Sequence, residues 1–176
     1  EKLQGDVVND TDIVVKAIGS ATGNNQQEIL SRIFRQVEGA ANFIIMVDDK
    51  LYAYRDFKGI RPLSIAMLQD REGLPRGYVI ASETCAYGPL NATYFRDISP
   101  GEGLMVDEHG IHTFFVDRRL DKSKLAQCIF ELIYISAPDS NIFGKSVYEV
   151  RFNIGRALAE EDITEGFLPD VIVPVQ

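Results

Sequence analysis

Asn42-Phe43-Ile44-Ile45-Met46-Val47-Asp48-Asp49-Lys50-Leu51-Tyr52-Ala53-Tyr54-Arg55 is the stretch on which the fold turns. Two runs rich in β-branched and aromatic residues, Asn42–Val47 and Leu51–Arg55, flank the polar triplet Asp48-Asp49-Lys50, which predicts a short hairpin. Further strands are expected downstream at Leu63–Leu68, Tyr78–Ser82, Gly103–Val106 and Ile111–Val116. The last two are joined by Asp107-Glu108-His109-Gly110, a second hairpin loop. Clusters of Gly, Pro and Asp separate these runs at short intervals, the mark of an antiparallel sheet region.

Upstream, the period changes to that of helices. Ile13, Val14, Ala17 and Ile18 form one apolar stripe, with Asp10 and Thr11 as candidate N-caps. Ile29, Leu30, Ile33, Phe34 and Val37 form a second, after a Gly19–Asn25 loop, and Gly39 is expected at its C-terminus. The two helices are placed to cover a face of the sheet, giving an α+β class. Downstream, Ser123–Tyr134 reads as a helix or a helix running into a strand, broken by Ala137-Pro138-Asp139-Ser140. Val147, Val150, Ile154 and Leu158 then predict an amphipathic helix, and Asp170–Val175 a short Val-rich strand. Such a strand sits inside a parallel sheet or packs as an edge strand on the first domain. The first alternative makes residues from about 146 the start of a second, α/β domain whose remainder lies outside these 176 residues.

Composition narrows the function classes. With 18 Lys+Arg against 26 Asp+Glu, the net charge of −8 argues against a protein that works by neutralising nucleic-acid phosphates. No apolar run approaches the roughly 18 residues of a membrane span, so no membrane partner is expected. Glu1-Lys2-Leu3-Gln4-Gly5 lacks the regions of a signal peptide. Two cysteines, Cys85 and Cys128, make no disulfide scaffold and suit a cytoplasmic compartment. They do not pair with His109 and His112 in any metal-ligand spacing. Glu160-Glu161 and Asp48-Asp49 read as solvated charge. One cluster is less ordinary. Arg55-Asp56-Phe57-Lys58-Gly59-Ile60-Arg61-Pro62-Leu63 reads as a rigid loop braced by an Arg–Asp pair, with Gly59 at positive φ and an arginine able to receive a carboxylate.

That segment resembles the RDxxGxRPL motif of class II (N-terminal nucleophile) glutamine amidotransferases. Ala81-Ser82-Glu83-Thr84-Cys85-Ala86 resembles their A-S-E-[ST]-x-A segment, and Arg96-Asp97-Ile98-Ser99-Pro100-Gly101-Glu102 their RDxxPGE. Asn9-Asp10-Thr11-Asp12 is similar to the S-D-T-E start of a helix in the same domain. Cys128-Ile129-Phe130-Glu131-Leu132-Ile133-Tyr134 with Pro138-Asp139-Ser140 resembles the C-x-F-E-Y-[IV]-Y-F-A-R-P-D-S segment of the amidophosphoribosyltransferase family. There Leu132, Ile135 and Ser136-Ala137 depart from the family's Tyr, Phe and Ala-Arg, in the region where ammonia crosses between sites.

The resemblance implies a partial αββα sandwich of the N-terminal nucleophile hydrolase type followed by the start of a phosphoribosyltransferase domain. Residues 1–122 would be the C-terminal part of the glutaminase domain, 123–145 the junction and 146–176 the start of the second domain. It implies a parent enzyme that moves the amide nitrogen of glutamine to phosphoribosylpyrophosphate with Mg²⁺, giving phosphoribosylamine for purine synthesis. The family's nucleophilic cysteine, its HxRY and Asn-Gly segments and its phosphoribosylpyrophosphate loop have no counterpart among these residues. The chain by itself is therefore expected to be inactive, without a catalytic residue of its own. Asp10 matches the aspartate that receives the substrate α-ammonium, while Arg55, Asp56 and Arg61 are expected to support the glutamine pocket. Cys128 matches a position that ligates a [4Fe–4S] cluster in some members and is a buried thiol in others. A homo-oligomer is expected. Another class II amidotransferase and a non-catalytic interaction or regulatory relative are the alternatives.

Overall fold

The computed structural model describes residues 9–119, 121 and 124–173, with the side chain of Asp10 left aside. Two helices come first, α1 (Asp10–Ser20) and α2 (Gln26–Phe34). The N-cap of α1 is Asn9, one residue before the expected Asp10 and Thr11, and its side chain accepts from the Asp12 amide at 2.9 Å. Asn25 caps α2 in the same way through the Glu28 amide. Gly39 has a positive φ of 95° but lies in the following loop, well beyond the helix end.

The hairpin forms as expected, from β1 (Phe43–Val47) and β2 (Lys50–Tyr54). The other strands are β3 (Ser64–Gln69), β4 (Pro75–Ala81), β5 (Ala92–Asp97), β6 (Glu102–Asp107) and β7 (Gly110–Val116). They form two antiparallel sheets with orders β1-β2-β6-β7 and β4-β3-β5. A 3-10 helix over Thr84–Leu90 links β4 to β5. The sequence reading missed β5, whose Tyr94, Phe95 and Arg96 carry no clean alternation. It exists because β3 offers a free edge, and it pairs with a bulge that leaves Phe95 unmatched between Tyr94 and Arg96.

The layers follow from which faces are apolar. Leu30 and Phe34 of α2 pack on Tyr52, Tyr54, Met105 and Phe115, covering one face of the four-stranded sheet. Phe34 is fully buried and stacks on Tyr54 at a ring-centroid distance of 4.3 Å. On the opposite face, Ala53, Leu104, Val106 and Ile111 meet Ile65 and Ile80 of the second sheet and Leu63 just before it. The result is an α–β–β stack, a mixed α/β architecture with antiparallel sheets.

After β7 the pattern departs from expectation. Over Ser123–Tyr134 no long helix forms among the described residues; instead an irregular stretch over 125–128 leads into a short helical segment that starts at Ile129 and Phe130 and runs on as a π-turn, Glu131–Ile135. A two-residue pair, β8 (Asn141–Ile142) and β9 (Lys145–Ser146), precedes α3 (Val147–Thr164). The helix is present, yet only Val147 of its apolar stripe is buried, against Leu132 and Ile142. Ile154 and Leu158 face solvent. Residues 170–173 are irregular and Val171, Ile172 and Val173 exposed, so the expected strand is not formed there. Its last two positions lie outside the described residues.

Candidate functional site

The loop between β2 and β3 is built around two buried charges, Arg55 and Asp56. They do not pair with each other, contrary to expectation; each braces backbone instead. Asp56 Oδ1 accepts from the amides of Lys58 at 3.0 Å and Ile60 at 3.1 Å, and its Oδ2 from Ile60 at 3.0 Å. This is the short-range capture of backbone donors for which aspartate is suited. Gly59 completes the turn at φ 62°, and a Cβ there would stand 2.8 Å from Pro100 Cγ.

Arg55 donates through Nε to Arg61 O at 2.9 Å, through Nη1 to Ile98 O at 2.8 Å and through Nη2 to Gly59 O at 3.4 Å. Burial pushes its pKa down, against the opposing pull of Asp97 and Asp56. A guanidinium held by three carbonyls in the interior is a brace and is not placed to receive a substrate carboxylate.

The Arg96–Glu102 segment closes on the same loop. Gly101 donates its amide to the carbonyls of Arg55 and Asp56 at 3.0 and 3.1 Å. Arg96 grips Glu102 with both arms of its fork, each at 2.8 Å, while Thr113 Oγ1 and the Ser99 amide donate to the same carboxylate at 2.6 and 2.9 Å. Burial raises the Glu102 carboxyl, but these donors outweigh it and hold the group below its ordinary range.

The third segment lies over the loop's outer rim. Lys58 O and Ile60 O accept the amides of Ala126 and Cys128 at 2.9 and 3.0 Å. Arg61 then reaches Glu131 Oε1 at 2.6 Å, a contact that raises the Arg61 pKa. Glu83 Oε2 accepts from the Ala137 amide at 2.7 Å and from Ser140 Oγ at 3.2 Å, tying the segment after β4 to the Pro138-Asp139-Ser140 turn. Ser140 Oγ in turn accepts the Cys85 amide at 3.3 Å. The sequence presents Glu83, Glu102 and Glu131 only as motif letters and does not single out Arg151, which donates to Leu132 O at 3.0 Å and to Ser136 O at 2.7 Å. A motif names residues without naming their partners, and Arg151 sits at an ordinary polar position of α3.

Asp10 opens α1, whose Thr11, Val14 and Ala17 line a cleft of about 560 Å³ with Ile33 and Val37. Asn42 lines the same cleft and donates through Nδ2 to Pro62 O at 2.8 Å, so the cleft adjoins the end of the Arg55–Pro62 loop. Cys128 is half-buried, as is Cys85. Among the described residues no group of three or more His, Cys, Asp or Glu could hold a metal. A [4Fe–4S] cluster takes about four ligands, mostly thiolates, and Cys128 could supply only one of such a set. His109 and His112 lie exposed beside Glu108 and Asp107. No helix among the described residues is long and apolar enough to cross a membrane.

No protein-family model matches the chain. Curated relatives do. The amidophosphoribosyltransferase of Bacillus subtilis is 34% identical over 167 residues, covering 95% of this chain and 33% of the relative. That of Mycobacterium bovis is 39% identical over 154 residues, 86% of this chain and 27% of the relative. The chloroplastic enzyme of Vigna aconitifolia is 38% identical over 169 residues, 95% and 32%. Among solved structures, the B. subtilis glutamine phosphoribosylpyrophosphate amidotransferase complexed with ADP and GMP matches with a TM-score of 0.77 at 34% identity, over 90% of this chain and 33% of that one. In sequence and in fold alike, the chain is a relative of the amidophosphoribosyltransferases, matching a stretch about one third of their length.

Proposed function

We propose that this chain supplies the later part of the glutaminase domain, the junction and the opening of the phosphoribosyltransferase domain of a glutamine-dependent enzyme. In that enzyme the amide nitrogen of glutamine passes, as ammonia, to phosphoribosylpyrophosphate. Water takes its place on the glutamine side, giving glutamate, and pyrophosphate leaves the sugar, giving 5-phosphoribosylamine, the first step of purine synthesis. One observation carries the reading. Three motif segments far apart in sequence, 55–63, 96–102 and 128–140, interlock through Gly101 N, Arg55, Ile60 O and Arg61 into one cluster beside the α1 cleft. Independent loops would have no reason to share these bonds.

Under this reading residues 1–122 are glutaminase, 123–145 junction and 146–176 the start of the phosphoribosyltransferase domain. The α–β–β stack supports three layers of an αββα sandwich. Asp10, at the mouth of α1, is the residue we assign to the substrate α-ammonium, because a carboxylate pairs with that cation and rejects substrates lacking it. Arg55 and Asp56 act as braces of the adjoining loop. Mg²⁺ in such a reaction is carried largely by the substrate's phosphates, and we assign no side chain of this chain to it.

The test is made on the natural gene product, with amide-labelled glutamine, phosphoribosylpyrophosphate and Mg²⁺. Label in phosphoribosylamine, with glutamate and pyrophosphate released in equal amounts, is the expected result. Glutamine use that ignores phosphoribosylpyrophosphate but responds to another acceptor would assign the chain to a different class II amidotransferase. The 176 residues alone are expected to release no ammonia from glutamine, and steady release would overturn that expectation.

A further inference from the structure

Where β7 ends, three arginines meet. Asp117, Arg118 and Arg119 follow the strand directly, and with Arg35 at the C-terminus of α2 they line a cleft of about 470 Å³. No residue lines both this cleft and the one beside α1. Arginine thus dominates the lining, in a chain whose net charge is −8.

Only one of the three positive charges is already answered. Asp117, fully buried, accepts the Arg119 amide and Nε on Oδ1 at 2.9 and 3.0 Å, and Arg119 Nη2 on Oδ2 at 2.6 Å. The same Nη2 donates to Phe34 O and Val37 O at 3.1 and 3.2 Å. It therefore covers carbonyls at and just after the end of α2 that would otherwise repel an anion. The Arg119 guanidinium also lies 4.3 Å from the centre of the Phe57 ring. It is fixed in place, yet its Nη1 keeps two donors without an acceptor among the described residues. Arg35 rests 5.5 Å from the centre of the Phe115 ring, and Arg118 is exposed. Among the described residues neither of these two meets a carboxylate. Glu38, which also pulls on Arg119, lines the α1 cleft rather than this one.

We propose that this cleft binds the phosphate group of a small anion, with Arg35 and Arg118 supplying the charge and Arg119 a fixed donor. The site stands apart from the reaction proposed above and does not depend on it. Its charge fits: Asp117 cancels Arg119, the other two arginines remain, and a phosphate group carries about −1.5 to −2 near pH 7. A tetrahedral phosphate also offers several acceptor oxygens within one small volume, and guanidinium forks pair with it in bidentate fashion. A single carboxylate would leave one arginine unanswered. The lining holds no aromatic or apolar residue, and arginines already occupy Phe57 and Phe115, so nothing there would hold a base or an acyl chain.

The experiment is equilibrium dialysis of the natural gene product, and of its Arg35→Gln and Arg118→Gln variants, against labelled orthophosphate at low salt. Both side chains reach solvent, so the variants should unfold close to the parent's urea midpoint. The parent is expected to show a saturable class of phosphate sites that weakens as salt is raised. The dissociation constant of that class should rise about tenfold or more in each variant, the effect of losing one hydrogen bond to a charged group. Phosphate sites elsewhere in the protein would be kept by both variants. No saturable binding up to about 10 mM, or binding that both variants retain unchanged, would overturn the proposal. Competition then separates the sources. Displacement by glycerol 3-phosphate at a lower concentration than by unlabelled orthophosphate marks a phosphate ester as the ligand, and the reverse order marks the free ion; either supports the site. Succinate displacing the label as well as orthophosphate does would overturn the assignment to phosphate.

Discussion

Replacing Glu102 by Gln tests whether the motif segments are held by electrostatics or merely by shape. The Glu102 side chain is 7% exposed and that of Arg96 34%. Gln keeps the volume and one acceptor oxygen but removes the charge and turns an NH₂ toward the Arg96 fork or Thr113. A hydrogen bond to a charged group contributes about 1.5–3 kcal/mol, and breaking a fully buried pair costs about 3–5 kcal/mol. With a third of Arg96 in water, the lower part of that combined range applies, and about 2–3 kcal/mol is expected. For a chain of this size the loss corresponds to a Tm lower by about 5–10 °C at pH 7.

The pH dependence follows from the direction of the Glu102 shift. Its folded pKa lies below the unfolded value of about 4.3, so the contribution is complete above that pH and disappears as pH falls through the folded value. The Gln variant does not titrate there, and the two unfolding curves should converge in acid. Urea unfolding at several pH values reads both effects. A difference below about 0.5 kcal/mol at pH 7, the ordinary scatter of surface substitutions, would refute the reasoning, as would a difference that persists unchanged through acid.

Phe34→Ala empties the centre of the helix–sheet layer beneath four neighbouring aromatic rings, and should cost about 3–5 kcal/mol by urea unfolding. Gly59→Ala combines a φ of 62° with a 2.8 Å approach to Pro100 Cγ, so a loss of about 1–3 kcal/mol is expected, with faster proteolysis within the Arg55–Pro62 loop. Arg55→Met strands the carbonyls of Arg61 and Ile98 in the interior and should destabilise by about 2–4 kcal/mol, again by urea unfolding; an unchanged midpoint would show that these bonds are replaced at no cost.

The sequence by itself determined the local elements. Hairpin β1–β2 needs only two apolar runs and a polar turn, and helices α1 and α2 only a 3.6-residue stripe behind a capping side chain, so both stood in the residue order. The motif segments, and the family they resemble, were legible in the same way. What tertiary structure decided was every feature whose partner is remote. β5 became a strand because β3 had an edge to pair with, although Tyr94-Phe95-Arg96 shows no clean period. Arg55 and Asp56, adjacent and opposite in charge, turned to separate backbone partners because the loop carried carbonyls and amides that had to be satisfied inside the protein. Glu131 found Arg61 seventy residues away, and Arg151 found the end of a π-turn that periodicity reads as plain helix. In the opposite sense, Val171–Val173 had the composition of a strand and formed none in the described residues. A strand exists only when another segment supplies the other half of its hydrogen bonds, and composition carries no information about whether that segment is there.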